Sequence, residues 1–206
     1  MSDRSLVFLK NRQSGQLVEA TLIEDLGRAE VEAAEHEWVP FLRERLEQLK
    51  KQGVPRKQWP EHSHWDWRQK YEVVERYSLA CKMFGIECQS QMQGMMLVST
   101  AGKTCRIATQ RNKQLVYVHF LAAAPWNLPS IVESPRFSLV GSILIASAIQ
   151  LSLTEEFLGR IGLHSLPQAD KWYSSECGMT DMGPDPSMQN LRYFEMTPEQ
   201  AAEFLK

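Results

Sequence analysis

Apolar positions along the chain recur with two different periods. In residues 29–51 they fall at Val31, Ala34, Trp38, Leu42, Leu46 and Leu49, the spacing of one helix face. Pro40 lies inside that run and removes a helical hydrogen bond, so a kink is predicted there, or one helix ending and another starting. Gly53 and Pro55 close the segment. A second helix is predicted over 67–77, with Tyr71, Val74 and either Tyr77 or Ser78 inward, and an apolar helical run over about 142–157. Shorter runs bounded by Gly and polar clusters read as strands: 17–23, 83–89, 92–100, 105–109, 114–121, 160–165 and 191–196. Ser90-Gln91 is the expected hairpin turn, and Gly183-Pro-Asp-Pro-Ser187 an expected loop. Thr197-Pro-Glu-Gln200 has the capping-box pattern and starts a short terminal helix over 199–205. The element order gives an α/β (α+β) fold without a visible linker, a single domain over 1–206.

Composition narrows the function classes. The net charge is −2 with no long basic block, which argues against broad binding to a nucleic-acid backbone. No apolar run reaches the length of a membrane span, and the first ten residues have too short an apolar centre for a secretory signal. Cys81, Cys88, Cys105 and Cys177 are scattered without a Cys-x-x-Cys pair. Reduced thiols in a cytoplasmic protein are the expectation.

Two stretches carry candidate chemistry. Trp59-Pro-Glu-His-Ser-His-Trp-Asp-Trp67 packs aromatics, imidazoles and a carboxylate into one loop. Either its indoles tie the loop down, or His64, Trp65, Asp66 and Trp67 form one wall of a ligand pocket. His62-x-His64 could ligate a metal, but no third ligand has recognisable spacing, so no metal is expected. The second stretch runs from 114 to 179. There a strand feeds a connection carrying Arg136 and Gly141, then a helix. Main-chain N–H groups at a helix start are unpaired, and with the helix dipole they attract an anion. Gly141 lets a ligand approach the backbone, and Arg136 suits a phosphate. No Gly-x-x-x-x-Gly-Lys-Ser/Thr or Gly-x-Gly-x-x-Gly run is present, which disfavours other nucleotides.

Arg136-Phe-Ser-Leu139-Val-Gly141 resembles the cofactor motif of the GCN5-related N-acetyltransferase (GNAT) superfamily, Gln/Arg-x-x-Gly-x-Gly/Ala, between that family's fourth strand and third helix. Arg136 and Gly141 match, and Leu139 stands where the family has its first Gly. Leu121-Ala-Ala-Ala-Pro-Trp126 and Ala169-x-x-Trp172-Tyr173 before Gly178-Met179 also look like the family's pattern.

The resemblance implies a mixed, mostly antiparallel sheet with helices on both faces and its central strands, 114–121 and 160–165, splayed. It implies acetyl-CoA as co-substrate, with its pantetheine arm on the backbone of Leu121, Ala122 and Ala123 and its pyrophosphate on Arg136 and the N–H groups of Val140, Gly141 and Ser142. Residues 114–179 would be the acyl-CoA-binding core and 29–80 the helical acceptor side. The reaction would be direct acyl transfer to an amine of a small molecule or protein, with a homodimer left open. The strand has no Glu to act as base, and His119 is its only group titrating near neutrality. By twos, His119 shares a face with Tyr117 and Leu121, so it is either the base or a satisfied core His, and His164 has the same status. Tyr173 is the implied acid at the sulfur. Counted from Ala169 it falls on the family's tyrosine; counted back from Gly178 that place is Ser174, one residue being extra. Trp65, Asp66, Trp67 and Trp126 would line the acceptor pocket, where aromatic and acidic walls suit a cationic acceptor. The rival reading is a GNAT-like binding or regulatory module that does not catalyse.

Overall fold

The predicted first helix forms as α1 (Arg28–Lys51) and runs through Pro40 without ending. Anchors on both sides of the proline explain this. Trp38 Nε1 donates to the Met92 carbonyl at 3.0 Å, and Phe41 meets Trp126 edge-on at 5.6 Å. Val31, Ala34 and Trp38 are buried as their spacing predicts, whereas Leu42, Leu46 and Leu49 are half-buried. The structure, a computed structural model, describes residues 3–206.

The remaining elements follow in order: β1 (Arg4–Asn11) and β2 (Leu17–Ile23) precede α1; α2 (Trp67–Arg76), β3 (Cys81–Cys88), β4 (Gln91–Ser99), β5 (Val116–Ala123), β6 (Phe137–Ser138), α3 (Val140–Thr154), β7 (Ile161–Ser165), β8 (Thr180–Asp185), β9 (Leu191–Met196) and α4 (Pro198–Phe204) follow it. Gln89 and Ser90 both take positive φ, 53° and 59°, the conformation of a two-residue hairpin turn, so the β3–β4 turn falls one residue earlier than predicted. The capping box forms, with Thr197 and Gln200 each accepting from the other's backbone.

Two expectations are corrected, and one strand lies where none was expected. β1 is a strand that the sequence pattern does not disclose, because its consecutive apolar residues Leu6, Val7, Phe8 and Leu9 show no alternation. The predicted strand over 105–109 is instead a single bridge, Thr104 to Gln114, and a 3-10 turn, Ala108–Gln110. The predicted loop at Gly183 is largely β8, which passes Gly183 and Pro184 by a shift of register against β9. Gly183 at φ 84° and a proline without an N–H are what an irregular edge strand accommodates.

The chain divides into two compact units. Unit one comprises the chain up to Ser78, Lys82–Met96 and Leu121–Leu144, with strands in the order β6-β1-β2-β3-β4 and the end of β5 beside β4. Unit two comprises Leu79–Cys81, Leu97–Phe120 and Ile145–Lys206, with the end of β4, then β5-β7-β9-β8. β5 and β7 pair in parallel, while β7–β9 and β8–β9 are antiparallel, as are β1–β2, β1–β6 and β2–β3. The sheet is therefore mixed and mostly antiparallel, as expected. Among the described residues no helix is long and apolar enough to cross a membrane.

One glycine of unit one has no room for a side chain. A Cβ on Gly94 of β4 would run into Val140 Cγ1, with Leu144 Cδ1 at 3.2 Å and the Ala122 carbonyl at 3.3 Å. The first turn of α3 rests on that point. Gly94→Ala is expected to cost about 1–3 kcal/mol by overpacking, read as a lower urea midpoint; an unchanged midpoint would show that α3 can move aside freely.

Candidate functional site

In unit one, the connection from β5 to α3 is tied down by two buried amides. Gln93 Oε1 accepts Trp126 Nε1 at 2.9 Å and Asn127 Nδ2 at 3.0 Å, and Asn127 Oδ1 accepts the Phe137 N–H at 3.0 Å. Ala124 N–H donates to the Gln93 carbonyl at 2.8 Å. Arg136 emerges from this frame exposed, its guanidinium 5.1 Å from the Trp126 ring centroid and its Nη1 2.8 Å from Gln91 Oε1. The face of an indole and an amide oxygen thus orient a cation that has no carboxylate on it among the described residues.

Leu139 has φ +75°, the left-handed conformation that a glycine adopts without cost. The side chain is exposed, where a leucine stands in place of the expected Gly. The helix's first hydrogen bond runs from Ile143 N–H to the Leu139 carbonyl at 2.9 Å. The N–H groups of Val140, Gly141 and Ser142 lie ahead of it, outside the helical ladder. Val140 is buried, while Gly141 and Ser142 are half-exposed, and main-chain donors at a helix start suit an anion.

The aromatic loop of unit one is a packed cluster. Trp67 is buried and meets Trp38 at 6.4 Å and Trp65 at 6.2 Å, edge-on in both cases, and His62 lies 5.4 Å from Trp65. Asp66 caps α2, accepting the Gln69 N–H at 2.9 Å. The Trp67 N–H is bonded to buried Glu35, which also pairs with Arg68 at 2.7 Å. Burial, and then His64, push the His62 imidazole down to about 4. Trp126 is 3% exposed and its surface is taken up by Trp38, Phe41 and Arg136. Trp65 is half-buried, with Lys70 Nζ 5.0 Å from its ring centroid. Among the described residues no three His, Cys, Asp or Glu side chains gather to hold a metal.

In unit two, β5 pairs with β7 at Val116–Ile161, Tyr117–Gly162 and Val118–Leu163, and the pairing stops there. β5 itself runs to Ala123 and β7 to Ser165. Leu121, Ala122 and Ala123, expected to hold a pantetheine arm, are the last residues of β5. His119 is beside Tyr117 on the same face, ring centroids 4.7 Å apart, as counting by twos predicts. Its Nε2 lies 2.8 Å from Ser99 Oγ. Burial, reinforced by Lys103, pushes His119 down to about 4, so it is neutral at pH 7. His164 is also lowered, by burial first, against the opposing effect of Asp185.

The extra residue near Tyr173 is absorbed by a π-helix, Trp172–Glu176, in which the Cys177 N–H reaches the Trp172 carbonyl at 3.0 Å. A π turn inserts one residue without breaking the helix. Tyr173 remains buried against Phe194 and Trp172, and Ser174 is exposed, its Oγ donating to the Asp170 carbonyl at 3.1 Å. The Tyr173 hydroxyl makes no hydrogen bond among the described residues, and burial raises it well above the usual phenol range. Cys177 is buried and its thiol pushed up to about 12 by burial.

No family profile matches the sequence, and no curated protein matches it either. Solved structures match its fold. RimJ of Mycobacterium smegmatis in complex with CoA-disulfide has a TM-score of 0.50 at 14% identity, over 98% of this chain and 93% of that one. PaiA N-acetyltransferase of Thermoplasma acidophilum in complex with coenzyme A has a TM-score of 0.50 at 11% identity, over 85% and 98%. Ard1 of Thermoplasma volcanium has a TM-score of 0.50 at 9% identity, over 86% and 95%. The chain has the fold of the GCN5-related N-acetyltransferases.

Two expectations follow. A leucine held left-handed costs roughly 1–2 kcal/mol, so Leu139→Gly should leave stability unchanged or raise it slightly in urea unfolding. A clear loss would show that the Leu139 side chain supports the turn. His119 binds its proton more weakly in the fold than in the unfolded chain. Its stabilising effect is therefore complete above its ordinary value near 6.5 and is lost as pH falls towards about 4. His119→Gln should remove on the order of 2 kcal/mol of that acid-side loss, seen as a flatter dependence of melting temperature on pH between those values.

Proposed function

We propose that this protein is an acyl-CoA-dependent N-acyltransferase that moves an acetyl group from acetyl-CoA directly to an amine. The observation that carries the reading is the start of α3: three N–H groups outside the helical ladder, a glycine among them, and in the connection leading to it a guanidinium that has no carboxylate on it among the described residues. That set suits a pyrophosphate. The left-handed Leu139 supports the same reading, because that conformation favours the glycine that the family has at this place.

In this reading Arg136, Val140, Gly141 and Ser142 hold the pyrophosphate, and the backbone of Leu121, Ala122 and Ala123 holds the pantetheine arm. The unbonded Tyr173 hydroxyl, raised by burial, stays protonated at neutral pH and can donate to the departing thiolate. His119 and His164, both lowered, are neutral at pH 7 and able to take up a proton. The helical segment 29–80, with Trp65, Asp66 and Trp67, and Trp126 beneath Arg136, stand on the acceptor side. The acceptor is an amine of a small molecule or a protein. No metal is called for, because direct acyl transfer needs proton transfer and positioning alone.

The test is binding followed by turnover. Acetyl-CoA at a hundred times its dissociation constant should stabilise the fold by about 2.7 kcal/mol, raising the melting temperature by several degrees. Arg136→Ala should weaken that binding by roughly tenfold or more through loss of charge-assisted hydrogen bonds. Thiol release from acetyl-CoA with a panel of amines should then fall in Tyr173→Phe while the thermal shift persists. Absence of any shift with acetyl-CoA or CoA would overturn the reading; a shift without thiol release from any amine would favour the non-catalytic module.

A further inference from the structure

Unit two contains a chain of polar side chains running from the interior of the sheet to its surface. The Tyr117 hydroxyl lies 2.6 Å from His164 Nδ1, and His164 Nε2 lies 2.9 Å from Asp185 Oδ2. The same Asp185 oxygen accepts Arg106 Nη1 at 2.6 Å, and its other oxygen accepts the Ser187 N–H at 2.9 Å and the Ser187 hydroxyl at 2.6 Å. Those contacts, Ser187 foremost, then Arg106 and His164, hold the Asp185 carboxyl well below the usual range, so it is ionised.

An ionised carboxylate can only accept. His164 Nε2 must therefore carry the hydrogen, leaving Nδ1 to accept from Tyr117. The chain thus has one direction, from Tyr117 outward. Exposure rises along it: the His164 side chain is 3% exposed, Asp185 9% and Arg106 42%, and Ser187 is at the surface. The buried end lies where β5 and β7 stop pairing, since Tyr117 and Gly162 form the pair before the last.

We propose that Tyr117, His164 and Asp185 form the proton outlet of the transfer reaction, with the Tyr117 oxygen as the first acceptor of the amine's proton. The proposal rests on the acyl-transfer reading. As the amine nitrogen bonds to the thioester carbon, its proton passes, directly or through one water, to the Tyr117 oxygen. The phenolic proton passes to His164 Nδ1, giving an imidazolium beside the Asp185 carboxylate. The carbon–sulfur bond breaks, the departing thiolate takes the Tyr173 proton, Tyr173 is reprotonated from solvent, and His164 returns its proton to solvent. The products are an amide and a thiol, with no oxidant or reductant involved.

The surroundings of His164 suit this role. It is faced by Tyr117 from β5, by Lys103 and Arg106 from the β4–β5 connection, by Asp185 from β8 and by Tyr193 from β9. Burial and the two cations keep it neutral at rest, while Asp185 stabilises it once charged. Burial pushes the Tyr117 hydroxyl up to about 12, so it gives its proton to His164 only as another arrives.

Tyr117→Phe and Asp185→Asn test the outlet in the full chain, with acetyl-CoA and an amine that the panel shows to be acetylated. Both should keep the acetyl-CoA thermal shift and lose about 100-fold in kcat, the range of a lost proton-transfer group. Asp185→Asn should also move the acid limb of the pH–rate profile to lower pH, because the carboxylate no longer favours the imidazolium. A merely structural chain would not move that limb. Nitrogen NMR of His164 at pH 7 should show hydrogen on Nε2; hydrogen on Nδ1 overturns the direction whatever the activity. Wild-type kcat and pH profile in Tyr117→Phe would remove the outlet alone. A wild-type chain that neither shifts with acetyl-CoA nor releases thiol removes the transfer reading and the outlet with it.

Discussion

The seating of α3 on Gly94 is the constraint on which unit one depends. A helix packs this closely on a strand only where the strand offers hydrogen instead of a side chain. Val140 and Leu144 fill the place that a side chain would take, and the Ala122 carbonyl bounds it. The helix start is thereby held against β4 and the end of β5, which fixes the direction of its first N–H groups. Main-chain donors that need no rearrangement hold an anion at little entropic cost.

The loops around that point are fixed by buried polar groups rather than by apolar packing alone. Gln93 collects the β5–α3 connection by accepting from Trp126 and Asn127. In unit two, Glu195 is fully buried and accepts the N–H groups of Arg106 and Ile107, the Gln110 amide and the Tyr193 hydroxyl. Each is a hub on a strand that captures a segment lacking a ladder of its own. That arrangement places Arg106 over Tyr193, 4.1 Å from its ring centroid, and within reach of Asp185. Buried polar networks cost much if left incomplete and specify one geometry when satisfied.

Much of the architecture was legible because it rests on local rules. The capping box at Thr197, the α1 stripe through Trp38, the common face of Tyr117 and His119, and the Arg136–Gly141 connection were read from spacing and resemblance. The failures share a cause. β1 has no alternation of its own and becomes a strand by pairing with β2. Gly183-Pro184 looks like a turn, yet β9 supplies enough partners to keep β8 in the sheet. The extra residue before Gly178 left Tyr173 and Ser174 as alternatives, and only the π-helix shows which of them is buried.

The sequence by itself determined the elements whose signals lie within a few residues: helix periods, caps, the hairpin turn, and the glycine and arginine at the start of α3. Tertiary structure alone decided which distant groups meet. Asp185 read as a loop residue, and Tyr117 as the neighbour of a histidine. That they become the two ends of one hydrogen-bonded chain through His164 depends on β7 lying beside β5 and on β8 closing the edge next to β9. Strand order and register bring residues far apart in the chain within hydrogen-bonding distance, and no local pattern of side chains encodes them.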